Sequence, residues 1–79
     1  MEKTLNEVEV GEVGTIVRVA GTGIIRRRLF DMGITPGAQF SFRKKAPLGD
    51  PIEITIRGYE LTLRKVEAQN VVVEVTGGN

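Results

Sequence analysis

The run IEITIRGYELTLR, residues 52–64, limits the possible folds more than any other stretch of the chain. Ile52, Ile54 and Ile56 alternate with polar residues, Arg57-Gly58-Tyr59 breaks the pattern, and Leu61 and Leu63 resume it. A period of two on either side of a short glycine-containing break predicts two half-buried strands joined as a hairpin. The whole chain has 79 residues, enough for one domain that buries about 60% of the surface its unfolded form would expose. With neither cysteine nor histidine, its small core has no disulfide and no ordinary zinc or iron ligand set to reinforce it. Packing, turns and backbone pairing must carry the stability, and the lack of cysteine fits a reducing cytoplasm.

The remaining segments extend the β reading. GTIVRVA, residues 14–20, is β-branched and bounded by glycines, so it predicts a strand; the lead-in before it is extended and offers Leu5, Val8 and Val10 to the core. QFSFRKK, residues 39–45, places Phe40 and Phe42 on one face, and VVVEV, residues 71–75, closes the fold. APLGDP, residues 46–51, is a loop with proline on each flank, KVEAQN is a turn or a single helical turn, and TGGN, residues 76–79, is expected to fray, leaving an ordered core of about 5–75.

One helix interrupts the strands. Thr22 is placed to cap a helix starting at Gly23 or Ile24 and ending at Met32, with Gly33 in the left-handed position beyond it. At about 100° per residue, Ile25, Leu29 and Met32 form the core stripe, Arg26 and Arg28 flank it, Arg27 and Asp31 point away, and Phe30 lies off it. Thr35-Pro36-Gly37 has the residue order of a type II turn. Five short strands and one short helix between the first two suit a mainly β, small, strongly bent SH3-like barrel.

Charge is unevenly distributed along this single domain. Residues 18–45 hold seven basic side chains against Asp31 alone, a local charge of +6, whereas the rest carries four basic and nine acidic residues, or −5. That asymmetry survives only if folding does not interleave the two sets. The acidic N-terminal segment has no apolar stretch able to act as a signal peptide or span a bilayer, so a soluble chain without direct membrane insertion is expected. No phosphate-binding loop, no nucleophile with a histidine base and no paired metal ligands are present, which argues against an enzyme. Glu7, Glu9 and Glu12 could gather a hard cation only if folding brought them together; otherwise they keep the lead-in soluble.

The Arg26-Arg27-Arg28 triplet reads first as the wet face of an amphipathic helix, and second as a surface for an acidic partner. Nucleic acid is the weakest reading, because no aromatic platform or groove-reading element accompanies the charge. Phe30 either packs on the loop after Gly33 or serves as an aromatic anchor ringed by arginine. The candidate partner-binding set is Arg26, Arg27, Arg28, Phe30, Arg43, Lys44 and Tyr59.

The runs RRLFDMGITPG, APLGDPIEITIRGYELTLRKVEA and VVVEV together resemble the FeoA family of small ferrous-iron-transport proteins, over about residues 5–75. That family shares its SH3-like fold with the C-terminal domain of some iron-dependent repressors. The shared elements are Arg28-Leu29, Asp31-Met32-Gly33, Pro36-Gly37, Pro47-Leu48-Gly49, Asp50-Pro51, Arg57-Gly58, Leu61 with Leu63, and Ala68. Most of them set shape, so the resemblance speaks more to fold than to mechanism. It implies a noncatalytic cytoplasmic accessory protein acting with a membrane ferrous iron transporter that has a cytosolic G domain. It implies no cofactor, with ferrous iron met only through the transport system. A general SH3-like binding module, metal-responsive or nucleic-acid-associated, is the alternative, and exposed edge strands leave a homo-oligomer open.

Overall fold

Strands β4 (Ile52–Ile56) and β5 (Tyr59–Leu63) form the expected hairpin, in register from Ile52↔Leu63 to Ile56↔Tyr59. Both turn residues are left-handed, Arg57 at φ 51° and Gly58 at φ 82°, as a type I′ turn requires to match the strand twist. Glycine enters that region freely, but arginine does not. The Arg57 side chain is held in compensation: Nε donates to the Gly33 carbonyl at 3.1 Å and Nη2 donates to the Thr35 hydroxyl.

The computed structural model describes residues 1–78. Ahead of the hairpin come β1 (Glu2–Thr4), a 3₁₀ turn at Leu5–Glu7, β2 (Glu12–Val19), α1 (Gly23–Asp31) and β3 (Gln39–Lys45); after it come α2 (Lys65–Ala68) and β6 (Val71–Gly78). The strands make one antiparallel sheet in the order β1-β6-β2-β3-β4-β5. All five expected strands are present, with α1 between the first two of them. The additional β1 is three residues long and pairs Glu2↔Glu74 through Thr4↔Val72. Its sequence, EKT, has no apolar alternation to announce it.

The expected fraying of residues 76–79 needs correction. Thr76–Gly78 continue β6, with Glu12↔Gly78 and Val13↔Gly77 in register, while Asn79 lies outside the described residues. Gly78 adopts φ 89° with its backbone against Gly11, where a Cβ would overlap the Gly11 carbonyl. A glycine-rich end thus extends the sheet because only glycine permits so close an approach.

Leu5, Val8, Ile16, Leu29, Ile34, Phe40, Phe42, Ile52, Ile54, Ile56, Leu63, Val71 and Val73 fill the core. Two expected members are absent. Val10 sits half-exposed just before β2, and Ile25 is 46% exposed. Leu29 is the only buried residue of α1, although Phe30 and Met32 pack partly against the core. The chain turns back at once: Gly33 N–H donates to the Phe30 carbonyl at 3.0 Å and Ile34 N–H to the Leu29 carbonyl at 3.1 Å. Ile34 thereby enters the core where a longer helix would have used another turn. The Thr22 hydroxyl makes no capping bond, although its backbone is extended as a cap requires. The type II turn is as expected, with Gly37 at φ 92° and the Ala38 N–H donating to the Thr35 carbonyl at 3.1 Å.

Gly33 meets two constraints. Its φ is +94°, and a Cβ there would stand 2.5 Å from the Tyr59 hydroxyl, which donates to the Met32 carbonyl. We expect Gly33→Ala to lower stability by about 1–3 kcal/mol, read as a fall in Tm. Tyr59→Phe in the same chain should return part of that loss by removing the crowded oxygen, so strictly additive losses would show the close approach to be irrelevant.

At the start of β2, Glu12 Oε1 accepts the Glu9 N–H at 2.8 Å and lies 3.2 Å from Lys3 Nζ. The Glu9 N–H, and after it Lys3, hold the Glu12 carboxyl below its usual pKa against the opposing effect of burial. A carboxylate lowered on folding adds stability above its unfolded pKa and loses it as pH falls through the folded one. Stability measured across the acid range should therefore fall less steeply in Glu12→Gln than in the natural chain.

Candidate partner-binding surface

The candidate residues separate into three groups once the chain is folded. On α1, Arg26 turns back so that Nε donates to the Val19 carbonyl at 3.3 Å while its guanidinium carbon lies 4.7 Å from the centre of the Phe30 ring. That spacing is within cation–π range. Arg27 is exposed and makes no ion pair among the described residues. Gly23, Arg26, Arg27 and Phe30 line a shallow crevice of about 280 Å³. Phe30 thus packs partly against the core and carries the Arg26 guanidinium on its ring.

Arg28 goes elsewhere. Its Nε lies 3.4 Å from Glu67 Oε2, linking α1 to α2. Glu67 Oε1 also accepts the Arg64 N–H at 2.9 Å, and Asp50 Oδ1, from the loop after β3, accepts the Lys65 N–H at 3.0 Å. Two carboxylates from different parts of the chain therefore satisfy the otherwise orphaned donors that open α2.

On the sheet, Arg43 Nε lies between Glu53 Oε2 at 3.2 Å and Glu60 Oε2 at 3.3 Å, and Lys44 Nζ is 3.9 Å from Glu53 Oε1. Arg18 Nη1 stands 4.0 Å from Glu2 Oε1. Antiparallel pairing has interleaved the basic segment with the acidic ones, so the run of +6 does not become a basic sheet face. Tyr59, the third group, serves the fold by holding the end of α1.

Glu7, Glu9 and Glu12 do not converge. Glu7 accepts the Thr4 hydroxyl at 3.1 Å, Glu12 is occupied as described, and no group of three carboxylates among the described residues is placed to hold a metal ion. A groove of about 760 Å³ lies on the outer face of β2, β3 and β4, with Val13, Thr15, Gln39, Ser41, Thr55 and Thr76 in its lining. None of the candidate partner residues lines it.

The family model described as FeoA domain matches residues 3–75. The chain belongs to the FeoA family. Among its relatives is a Fe(2+) transport protein A/Fe(2+) transporter FeoB fusion protein of Porphyromonas gingivalis, 36% identical over 75 residues. The match takes in 95% of this chain and 9% of that one, so this chain spans less than a tenth of the fusion. A FeoA-like protein from Clostridium acetobutylicum superposes with a TM-score of 0.87 at 42% identity, covering 94% of this chain and 86% of that one. Stenotrophomonas maltophilia FeoA, described as a procaryotic SH3 domain protein and solved with zinc, gives a TM-score of 0.80 at 28% identity, covering 91% and 89%. The SH3-like fold expected from the sequence is the fold of this FeoA chain.

One region escaped the sequence reading. At the end of the molecule where α2 lies, Ile24, Leu48 and Val66 are strongly exposed beside Arg64 and Lys65. Leu48 was the available signal: an aliphatic residue in a proline-bracketed loop has no strand alternation to carry it into a core.

Glu67 combines a cap with an ion pair, whereas Arg28 contributes only a surface partner. We expect Glu67→Ala to cost about 1 kcal/mol and Arg28→Ala about 0.5 kcal/mol or less, measured by urea unfolding. Equal losses would mean that the cap adds nothing.

Proposed function

We propose that this FeoA chain acts in the cytoplasm as a regulator of ferrous iron uptake, binding the cytosolic G domain of a FeoB-type membrane transporter. The supporting observation is the P. gingivalis relative, a fusion of Fe(2+) transport protein A with the transporter FeoB. Fusion keeps two modules at high effective concentration, which is useful when they act together. Where the two modules are separate polypeptides, a binding surface has to supply the same proximity.

The α1 face is the contact we favour. Arg26, Arg27 and Phe30 put an aromatic ring and unpaired cations on one short helix, a composition that binding hot spots favour. Arg43 and Lys44 are already neutralised by Glu53 and Glu60 and would act at the rim, steering approach more than adding affinity. No metal is assigned to the chain. Zinc accompanies the S. maltophilia protein, but without histidine or cysteine this sequence lacks the usual zinc donors.

The test is an NMR titration of the labelled chain with the transporter's cytosolic domain. Shifts should concentrate on Arg26–Phe30. Phe30→Ala should weaken the complex by at least about tenfold. Because Phe30 also touches the core, Arg27→Glu provides a second variant with no packing role and should weaken it as well. Unchanged affinity in both folded variants would remove α1 from the interface.

A further inference from the structure

We propose that the α2 end of the molecule adsorbs to an anionic lipid bilayer. This inference stands apart from the transporter reading, because it concerns the chain alone.

Contacts around α2 bring the relevant segments together. The register Val19↔Val71 sets the close of β2 beside the start of β6, Lys45↔Ile52 and Ile52↔Leu63 set the close of β3 and β5 beside the start of β4, and α2 joins β5 to β6. The start of α1, the loop 46–51 and α2 are tied by Arg28 to Glu67, by Asp50 to the Lys65 N–H, and by the Ala20 N–H donating to the Asn70 carbonyl at 2.6 Å. From these segments emerge Leu48 at 95% exposure, Ile24 at 85%, Val66 at 60%, and the half-exposed Ile25.

The charges at this end are equally one-sided. Arg26, Arg27, Lys45, Arg64 and Lys65 make no ion pair among the described residues, whereas Lys3, Arg18, Arg28, Arg43 and Lys44 all do, and Arg57 at the hairpin tip is held by the Gly33 carbonyl and the Thr35 hydroxyl. The acidic groups here are occupied: Asp50 and Glu67 accept the N–H groups that open α2, Glu67 also meets Arg28, and Glu7 accepts from Thr4. Folding has therefore given most of the other cations acidic partners or, for Arg57, neutral oxygen acceptors, and left these five without ion pairs in the segments that carry the protruding aliphatics.

That combination selects its occupant. Separate aliphatic side chains standing proud of a loop and a helix start need a matching pocket each on a protein, but a bilayer interface reshapes around them. The flanking cations complement lipid phosphates and are attracted to anionic leaflets. Adsorption of this kind is distinct from spanning, and no helix among the described residues is long and apolar enough to cross a membrane.

The chain contains no tryptophan, so a single introduced one reports its own surroundings. Leu48→Trp should shift its emission to the blue when vesicles of phosphatidylglycerol and phosphatidylcholine are added, and should not respond to phosphatidylcholine alone. Gln39→Trp, exposed at the end of β3 remote from the loop that carries Leu48, should stay unchanged. Without any tryptophan, the natural chain should float with the anionic vesicles, and Ile24→Ser with Leu48→Ser should lose that flotation while remaining folded. Reversing two cations with Arg64→Glu and Lys65→Glu should weaken vesicle binding by at least about tenfold. The proposal is overturned if the natural chain does not float, if both tryptophans respond alike, or if charge reversal has no effect. It is overturned as well if Leu48→Trp responds only to the transporter's cytosolic domain, which would make this end a protein-docking face.

Discussion

The attachment of the β4–β5 hairpin tip to the end of α1 is the constraint on which the rest of the arrangement depends. A helix of nine residues is marginal by itself, and this one buries only Leu29 completely. Tyr59 on the Met32 carbonyl and Arg57 on the Gly33 carbonyl satisfy the backbone where the helix ends, and Arg28 with Glu67 holds it further back. The sheet therefore fixes α1 through side chains at least as much as through apolar packing. A rigid position for Arg26, Arg27 and Phe30 follows from contacts that none of those three residues makes with the hairpin.

This also explains which parts of the structure were legible from sequence. Alternation at Ile52, Ile54 and Ile56 and at Phe40 and Phe42, together with Gly33, Gly37 and Gly58, reported the strands and turns because each signal is local. Ile25 misled because a helical stripe states which residues could face a core, and not how far along the helix the core extends. Ile34, beyond the helix, filled the space instead. β1 and the end of β6 went unseen because a three-residue charged strand and a glycine-rich tail acquire their conformation from a partner strand.

The candidate surface was less legible, for a related reason. Summing charge along residues 18–45 treats neighbours in sequence as neighbours in space, and antiparallel pairing breaks that equivalence. Arg43 meets Glu53 and Glu60 across the hairpin, and Arg28 meets Glu67 from α2. The cations without ion pairs come from separate segments, and those around Arg27, Lys45 and Arg64 are drawn together only by the contacts that α1 and the loop 46–51 make with α2. Composition could show that the chain was nearly neutral; it could not show where neutrality fails.

Stability and binding consequently occupy different residues in this FeoA chain. Gly33, Pro36-Gly37, Arg57-Gly58 and the alternating aliphatics are spent on shape, and these are also most of the elements through which the family is recognised. Fold alone carries no mechanism. What remains is a set of side chains the core does not need: Arg27, Ile24, Leu48, Val66, Arg64 and Lys65 are exposed, and among the described residues none of these side chains makes an ion pair or belongs to the core. Changes at those positions leave folding free energy nearly untouched, so a loss of association on altering them reports on association alone. Phe30 and Leu48 share no side-chain partner among the described residues, so the two proposals can be tested separately by altering one residue and leaving the other in place.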